Sequence, residues 1–167
     1  MIDLYKNGLV LIPNFLNATE EAFILSNIIP SVPIHKTTRN SIKRYGSNIP
    51  YKNQLESDII PEYLEVISDK IVSHGLLETK PNSVSINEYL IGNAIAPHVD
   101  SIESGPVITI VSLISDAIME FMLNDHKIQV NIPAKSLIQL KDEIRYKWKH
   151  SILPVKSKRY SIVFRNG

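Results

Sequence analysis

The run Ser83-Val84-Ser85-Ile86-Asn87-Glu88-Tyr89-Leu90-Ile91-Gly92-Asn93-Ala94-Ile95-Ala96-Pro97-His98-Val99-Asp100 is where the chain changes character from helical to β. From about Ser83 onward, short apolar segments bounded by turn residues predict strands at 83–89, 95–100, 107–114, 117–123, 127–132, 136–141, 146–152 and 158–165. Val107–Ile114 is rich in β-branched residues, and Asn124-Asp125 makes a hairpin turn. Pro97 fits the first position of its strand.

Upstream, Leu9–Ile12 reads as a short apolar strand ending at Pro13. Asn17 followed by Glu20 is a capping box that opens a helix running to about Ile29. Residues 35–55 read as irregular, with Gly46 and Pro50 as turn signals. A second helix starts with Pro61 in its first position, carries Leu64, Ile67 and Ile71 as its apolar stripe, and ends at Gly75. No repeat or linker divides the chain, so residues 1–167 are expected to form a single domain. The fold class expected is mainly β (α+β): a double-stranded β-helix, or jelly roll, over 81–167, with two N-terminal helices from 1–80 packed on it.

Composition sets the limits. Of 167 residues, 44% are hydrophobic and 21% charged, which is ordinary for a globular domain. Cysteine is absent, so disulfides and thiolate metal sites are excluded. No apolar run approaches the roughly 18–20 residues that span a bilayer, and the N-terminus lacks a secretory pattern. The expectation is a cytoplasmic, non-membrane monomer. The net charge is only +1, but Ala22–Leu55 holds no acidic residue and contains Lys36, Arg39, Lys43, Arg44 and Lys52. That segment is either a phosphate-contacting surface or a solvated basic loop.

His98 and Asp100 are two apart, so a strand would present both to one face. With His150 from a later strand they make the two-imidazole, one-carboxylate set of non-haem iron oxygenases, leaving about three open positions on a six-coordinate ion. An H-x-D pair alone also suits zinc, or arises by chance. In Arg159–Arg165 the period of two groups Arg159, Ser161, Val163 and Arg165 on one face and Tyr160, Ile162 and Phe164 on the other. Inward arginines require an anion, and a guanidinium fork matches a carboxylate. The opposite orientation, with arginines solvated and aromatics in the core, stays open on this strand alone.

The spaced pattern Asn87-x-Tyr89-x-x-Gly92-x-x-Ile95-x-x-His98-x-Asp100, then His150, then Arg159-x5-Arg165 resembles the signature of the AlkB family of Fe(II)- and 2-oxoglutarate-dependent dioxygenases. The resemblance covers about 81–167, and more weakly 8–60 through Gly8-Leu9 to Phe15 and Arg44-Tyr45-Gly46. It implies a double-stranded β-helix and Fe(II) held by His98, Asp100 and His150. It also implies 2-oxoglutarate held by Asn87, Tyr89 and Arg159, with Ser161 on the same face. Arg165 would lie nearer the metal, orienting the co-substrate or Asp100. O₂ is the second co-substrate, and the implied reaction is hydroxylation or oxidative demethylation of a modified base, as in DNA/RNA alkylation repair or tRNA modification.

Arg145-Tyr146-x-Trp148-x-His150, Ser161 and Val107-Ile108-x5-Leu113-x-Ser115 look most like the branch that hydroxylates wobble uridine in tRNA. Base-repair members carry an acid two positions after the metal aspartate, where this chain has Ile102, with Glu103 adjacent. The family's substrate lid falls on 36–54, where Lys43, Arg44, Tyr45 and Tyr51 are the candidate substrate contacts. Bases and phosphates suit such a mixture, so the expected partner is single-stranded nucleic acid or a flipped base. The alternative enzyme reading is an oxygenase acting on a protein side chain or small molecule, and the non-enzymatic one is a binding module without turnover. His35, His74 and His126 read as surface or structural, and Trp148 as packing.

Overall fold

The computed structural model describes residues 1–28, 35–36, 41–47 and 59–167. Among these residues eleven strands and three helices follow in the order β1 (Leu9–Ile12), α1 (Ala18–Ile28), β2 (His35–Lys36), β3 (Ser41–Gly46), α2 (Glu62–Ser73), β4 (Ser83–Tyr89), β5 (Ile95–His98), β6 (Ile108–Leu113), β7 (Ala117–Leu123), β8 (His126–Ile132), β9 (Leu137–Leu140), α3 (Asp142–Tyr146), β10 (Lys149–Ile152) and β11 (Arg159–Arg165). A 3₁₀ turn, Ile102–Ser104, separates β5 from β6. Eight strands follow from Ser83, as expected, but those expected over 95–100 and 146–152 are shorter, spanning Ile95–His98 and Lys149–Ile152.

Two antiparallel sheets face each other. The larger runs β1-β9-β6-β11-β4-β3-β2 and the smaller β5-β10-β7-β8. Strands β4 to β11 pass between the sheets as the double-stranded β-helix requires, with helices on the outer face of the large sheet. Strand alternation explains the layers. Tyr160, Ile162 and Phe164 of β11, with Val84 and Ile86 of β4, pack against Ile24, Ile28, Leu64, Ile67 and Ile71 of α1 and α2. The other face meets the small sheet through Val163, Ile108, Ile110, Met119, Phe121 and Trp148. Trp148 is buried packing, as its place in the sequence suggested.

Local chemistry sets the ends of the elements. Asn17 Oδ1 accepts from the Glu20 amide at 2.8 Å and Glu20 Oε1 accepts from the Asn17 amide at 3.0 Å, closing the capping box. Lys70 then ties α2 to α1, donating to Glu20 Oε2 at 2.9 Å and to the Phe15 carbonyl at 2.6 Å. Gly75 takes φ +71 at the end of α2. Leu123 and His126 are paired across Asn124-Asp125, so the hairpin has two turn residues.

Four expectations are corrected. Residues 41–46, read as irregular, form β3 and pair with β4 over its whole length. The segment 146–152 is not one strand, because α3 occupies Asp142–Tyr146 and β10 begins only at Lys149. Pro61 caps α2 from outside its first turn. Pro97 sits third in β5, tolerated because β5 is an edge strand and one side of it bears no ladder. Ile29, at the expected end of α1, lies outside the described residues.

Candidate metal and co-substrate site

Register assembles the site. On the central strands Arg159 stands opposite Tyr89, and Ser161 opposite Asn87. In the small sheet His150 stands opposite His98. These pairs face a cavity of about 390 Å³ between the sheets, lined also by Asp100, Arg165, Ile108, Ile110, Met119 and Arg44. That volume lies within the ~300–1,000 Å³ of small-molecule sites.

At one end, His98 Nε2 lies 3.2 Å and His150 Nε2 3.5 Å from Asp100 Oδ1. One ligand atom from each lies within 4.8 Å of the others, so the three could hold a metal ion. The Ala96 carbonyl lies 2.9 Å from His98 Nδ1 and can only accept, so Nδ1 carries a proton and Nε2 is the nitrogen left to face Asp100 and, once deprotonated, a metal ion. Asp100 Oδ2 accepts from Arg165 Nη2 at 3.0 Å and Nε at 3.2 Å, leaving Oδ1 toward the imidazoles. β5 ends at His98, so Asp100 shares that side from the loop beyond the strand.

Electrostatics favour the ligand forms at two of the three positions. Burial and the neighbouring His98 push His150 down to about 4, keeping its imidazole neutral at pH 7. Burial works against the Asp100 carboxylate. The hydrogen bond from His98 and the charges of Arg165 and His150 outweigh it, so Asp100 stays ionised well below the usual range. At His98 burial opposes the cation, but the bonds to Asp100 and the Ala96 carbonyl raise its pKa overall. A divalent ion would displace that proton.

The other end is cationic and dry. Arg159 is 0% exposed, its Nε donates to Ser112 Oγ at 3.0 Å, and its guanidinium lies 4.9 Å from the Tyr89 ring centre. Neither terminal nitrogen has a partner within hydrogen-bond geometry among the described residues, where the Tyr89 phenol is the polar group acting on the guanidinium. Burial lowers the Arg159 pKa and raises that of the Tyr89 phenol. A buried guanidinium with two unspent donors, in a cavity with a metal-competent cluster, fits a small dicarboxylate.

A model of the 2OG-Fe(II) oxygenase superfamily matches residues 34–165. The chain belongs to that superfamily. This oxygenase is AlkB-like. It is 29% identical over 160 residues to a tRNA (carboxymethyluridine(34)-5-O)-methyltransferase of Xenopus tropicalis, covering 89% of this chain and 26% of the relative. It is 29% identical over 177 residues to a DNA N6-methyl adenine demethylase of Caenorhabditis elegans, covering 96% of this chain and 60% of the relative. It is 30% identical over 183 residues to the uncharacterized protein L905 of Acanthamoeba polyphaga mimivirus, covering 96% and 85%. The oxygenase thus spans most of the viral relative but about a quarter of the frog enzyme.

The fold agrees. The OsALKBH1 structure superposes with a TM-score of 0.74 at 16% identity, covering 95% of this chain and 98% of that one. A Pseudomonas putida prolyl-4-hydroxylase superposes with a TM-score of 0.65 at 15% identity, covering 99% and 96%. Membership means that this oxygenase uses Fe(II), 2-oxoglutarate and O₂. No helix among the described residues is long and apolar enough to cross a membrane.

The candidate substrate residues divide. Arg44 lines the cavity beside Ile42. Tyr45 points the other way, 6% exposed in the apolar layer beneath the helices, so it offers no stacking face to a base. Lys43 shares that face, its ammonium 5.0 Å from the Tyr45 ring centre. For Tyr45 the expectation of a base contact is corrected by one fact: the segment is a strand, so neighbours alternate sides. Tyr51 lies outside the described residues. Ile102 is 79% exposed, and with Glu103 it belongs to the 3₁₀ turn rather than a continued strand.

Proposed function

We propose that the chain hydroxylates or oxidatively demethylates a modified base in nucleic acid, with Fe(II) on His98, Asp100 and His150. The observation that carries the co-substrate assignment is Arg159, a buried cation on the same cavity as the ligand cluster, with two terminal nitrogens that have no hydrogen bond among the described residues. Its fork receives the distal carboxylate of 2-oxoglutarate, with Asn87, Tyr89 and Ser161 completing the polar wall. Bound iron and 2-oxoglutarate supply the O₂-derived oxidant that replaces a C–H bond with C–OH.

The chain's own work is placement and protection. Arg165 fixes the Asp100 carboxylate, His98 is oriented by the Ala96 carbonyl, and Ile108, Ile110, Met119 and Val163 keep water from the chamber. Nucleic acid is favoured by the AlkB-like relatives that act on tRNA and DNA, and by Arg44 on a strand lining the cavity within the acid-free segment. The cavity suits an unstacked base better than intact duplex, hence a single strand or flipped base. Monomeric action is part of the same proposal. Cytoplasmic location belongs to the same proposal.

Total tRNA and alkylated single-stranded oligonucleotides, incubated with the protein, Fe(II), 2-oxoglutarate and O₂, are digested to nucleosides for mass spectrometry. A mass change of +16 or loss of a methyl group on one nucleoside, with stoichiometric succinate, is expected. Succinate without any nucleoside change would move the reading to a protein or small-molecule substrate; no succinate at all would refute the catalytic assignment.

A further inference from the structure

Arg145 has no role in the chemistry above, yet the residue is 2% exposed and stands on α3, just ahead of the strand bearing His150. No carboxylate pairs with it among the described ion pairs. Instead it spends its fork on main-chain carbonyls of a single loop. Nε donates to Gly105 at 2.9 Å, Nη1 to Asp100 at 2.9 Å and Nη2 to Ser101 at 2.7 Å. Burying a cation is costly, and the three carbonyl hydrogen bonds offset that cost only while the loop keeps this position.

That loop begins where β5 stops, so Asp100 gains nothing from the sheet's hydrogen-bond ladder. Arg165 holds the Asp100 carboxylate from β11, and Arg145 holds its carbonyl from α3. Gly105, at φ +88, completes the loop, and a Cβ there would collide with the Asn166 carbonyl. We propose that Arg145 is a positioning residue, locking the Asp100–Gly105 loop to the His150 segment so that carboxylate and imidazole are set at ligand spacing before an ion arrives. Lysine cannot replace it, because one ammonium on a flexible stem cannot span three carbonyls in a fixed fork.

The proposal rests on the metal-site reading of the previous subsection, and the experiment separates the two. Mn(II) alone is titrated into wild type, R145K and Leu64→Ala, the last being a core change in α2 remote from the loop. R145K should bind Mn(II) about 10–100-fold more weakly, as loss of a group that orients ligands does, while Leu64→Ala should lower the melting temperature and leave Mn(II) affinity unchanged. Wild type that binds no Mn(II) would overturn the metal-site reading itself. Wild-type binding with R145K unchanged, or Leu64→Ala weakened equally, would overturn only the role of Arg145. A wild-type measurement covers the case in which R145K does not fold. The Arg145 Nε–H should exchange slowly in NMR spectra of the metal-free protein, and fast exchange there would show that the loop is not held.

Discussion

Replacing Arg159 with methionine should make the ligand-free protein at least as stable as wild type while abolishing its response to 2-oxoglutarate. The side chain is 0% exposed, and among the described residues Nε donates to Ser112 Oγ while the terminal nitrogens meet only the Tyr89 side chain, outside hydrogen-bond geometry. Without co-substrate it is a buried charge with no counter-ion, and apolar replacement of buried charged groups is often neutral or stabilising by about 1–4 kcal/mol. With co-substrate, the two terminal nitrogens would each make a charge-assisted hydrogen bond of about 1.5–3 kcal/mol. Losing both costs about 3–6 kcal/mol, or roughly two to four orders of magnitude in Kd. The assay is thermal melting with saturating Mn(II), with and without 2-oxoglutarate. At a hundredfold excess over Kd the ligand stabilises wild type by about 2.7 kcal/mol, roughly 5–11 °C for a chain of this size. Arg159→Met should show no such shift. A ligand-free variant melting well below wild type would mean that Arg159 is structurally satisfied without co-substrate, and a retained shift would mean that the carboxylate binds elsewhere; either refutes the reasoning.

Arg44→Ala should weaken binding of a single-stranded oligonucleotide and reduce the slope of log K against log salt by about 1, measured by fluorescence anisotropy; an unchanged slope removes Arg44 from the interface. Tyr45→Ala should instead act on stability, by about 3–5 kcal/mol in urea unfolding, since the ring is core beneath the helices. Glu20→Gln should cost about 0.5–1 kcal/mol at pH 7, because its carboxylate is still partly solvated at 36% exposure. Hydrogen bonds from the Asn17 amide and then Lys70 depress the Glu20 pKa in the folded state. Its contribution is therefore present above the unfolded value of 4.5 and lost as pH falls through the lower folded value. Wild type and Glu20→Gln should converge in acid, and a gap that widens there would contradict the assignment.

How far the sequence disclosed the site depended on whether each residue obeyed its strand's alternation. The two faces of β11 were readable because period two separates Arg159, Ser161, Val163 and Arg165 cleanly from Tyr160, Ile162 and Phe164, but which face turns to the cavity was open on that strand alone, and the first set does. His98 and His150 were readable as residue types with suitable spacing, though their direct opposition across β5 and β10 comes from register alone. β3 was hidden because each of its faces mixes polarity: Ile42 with Arg44 toward the cavity, Lys43 with Tyr45 toward the helices. α3 was hidden by its length of five residues, too short for a helical period to register. Arg145 carried no signal of burial, since an arginine in a charged segment reads as solvent-facing, and the carbonyls that hold it lie 40 to 45 positions away.

The central place of β11 bears on which insertions and deletions the gene can tolerate. This strand is paired along both edges, to β4 over its full length and to β6 over most of it. Losing or gaining one residue within it would reverse the direction of every side chain beyond that point. Arginines would enter the layer under the helices and aromatics would enter the chamber, so one codon would remove chemistry and core together. The turn at 156–158 that precedes it is exposed and bears no such ladder. Length variation among related genes should therefore collect at that turn and stop abruptly at Arg159.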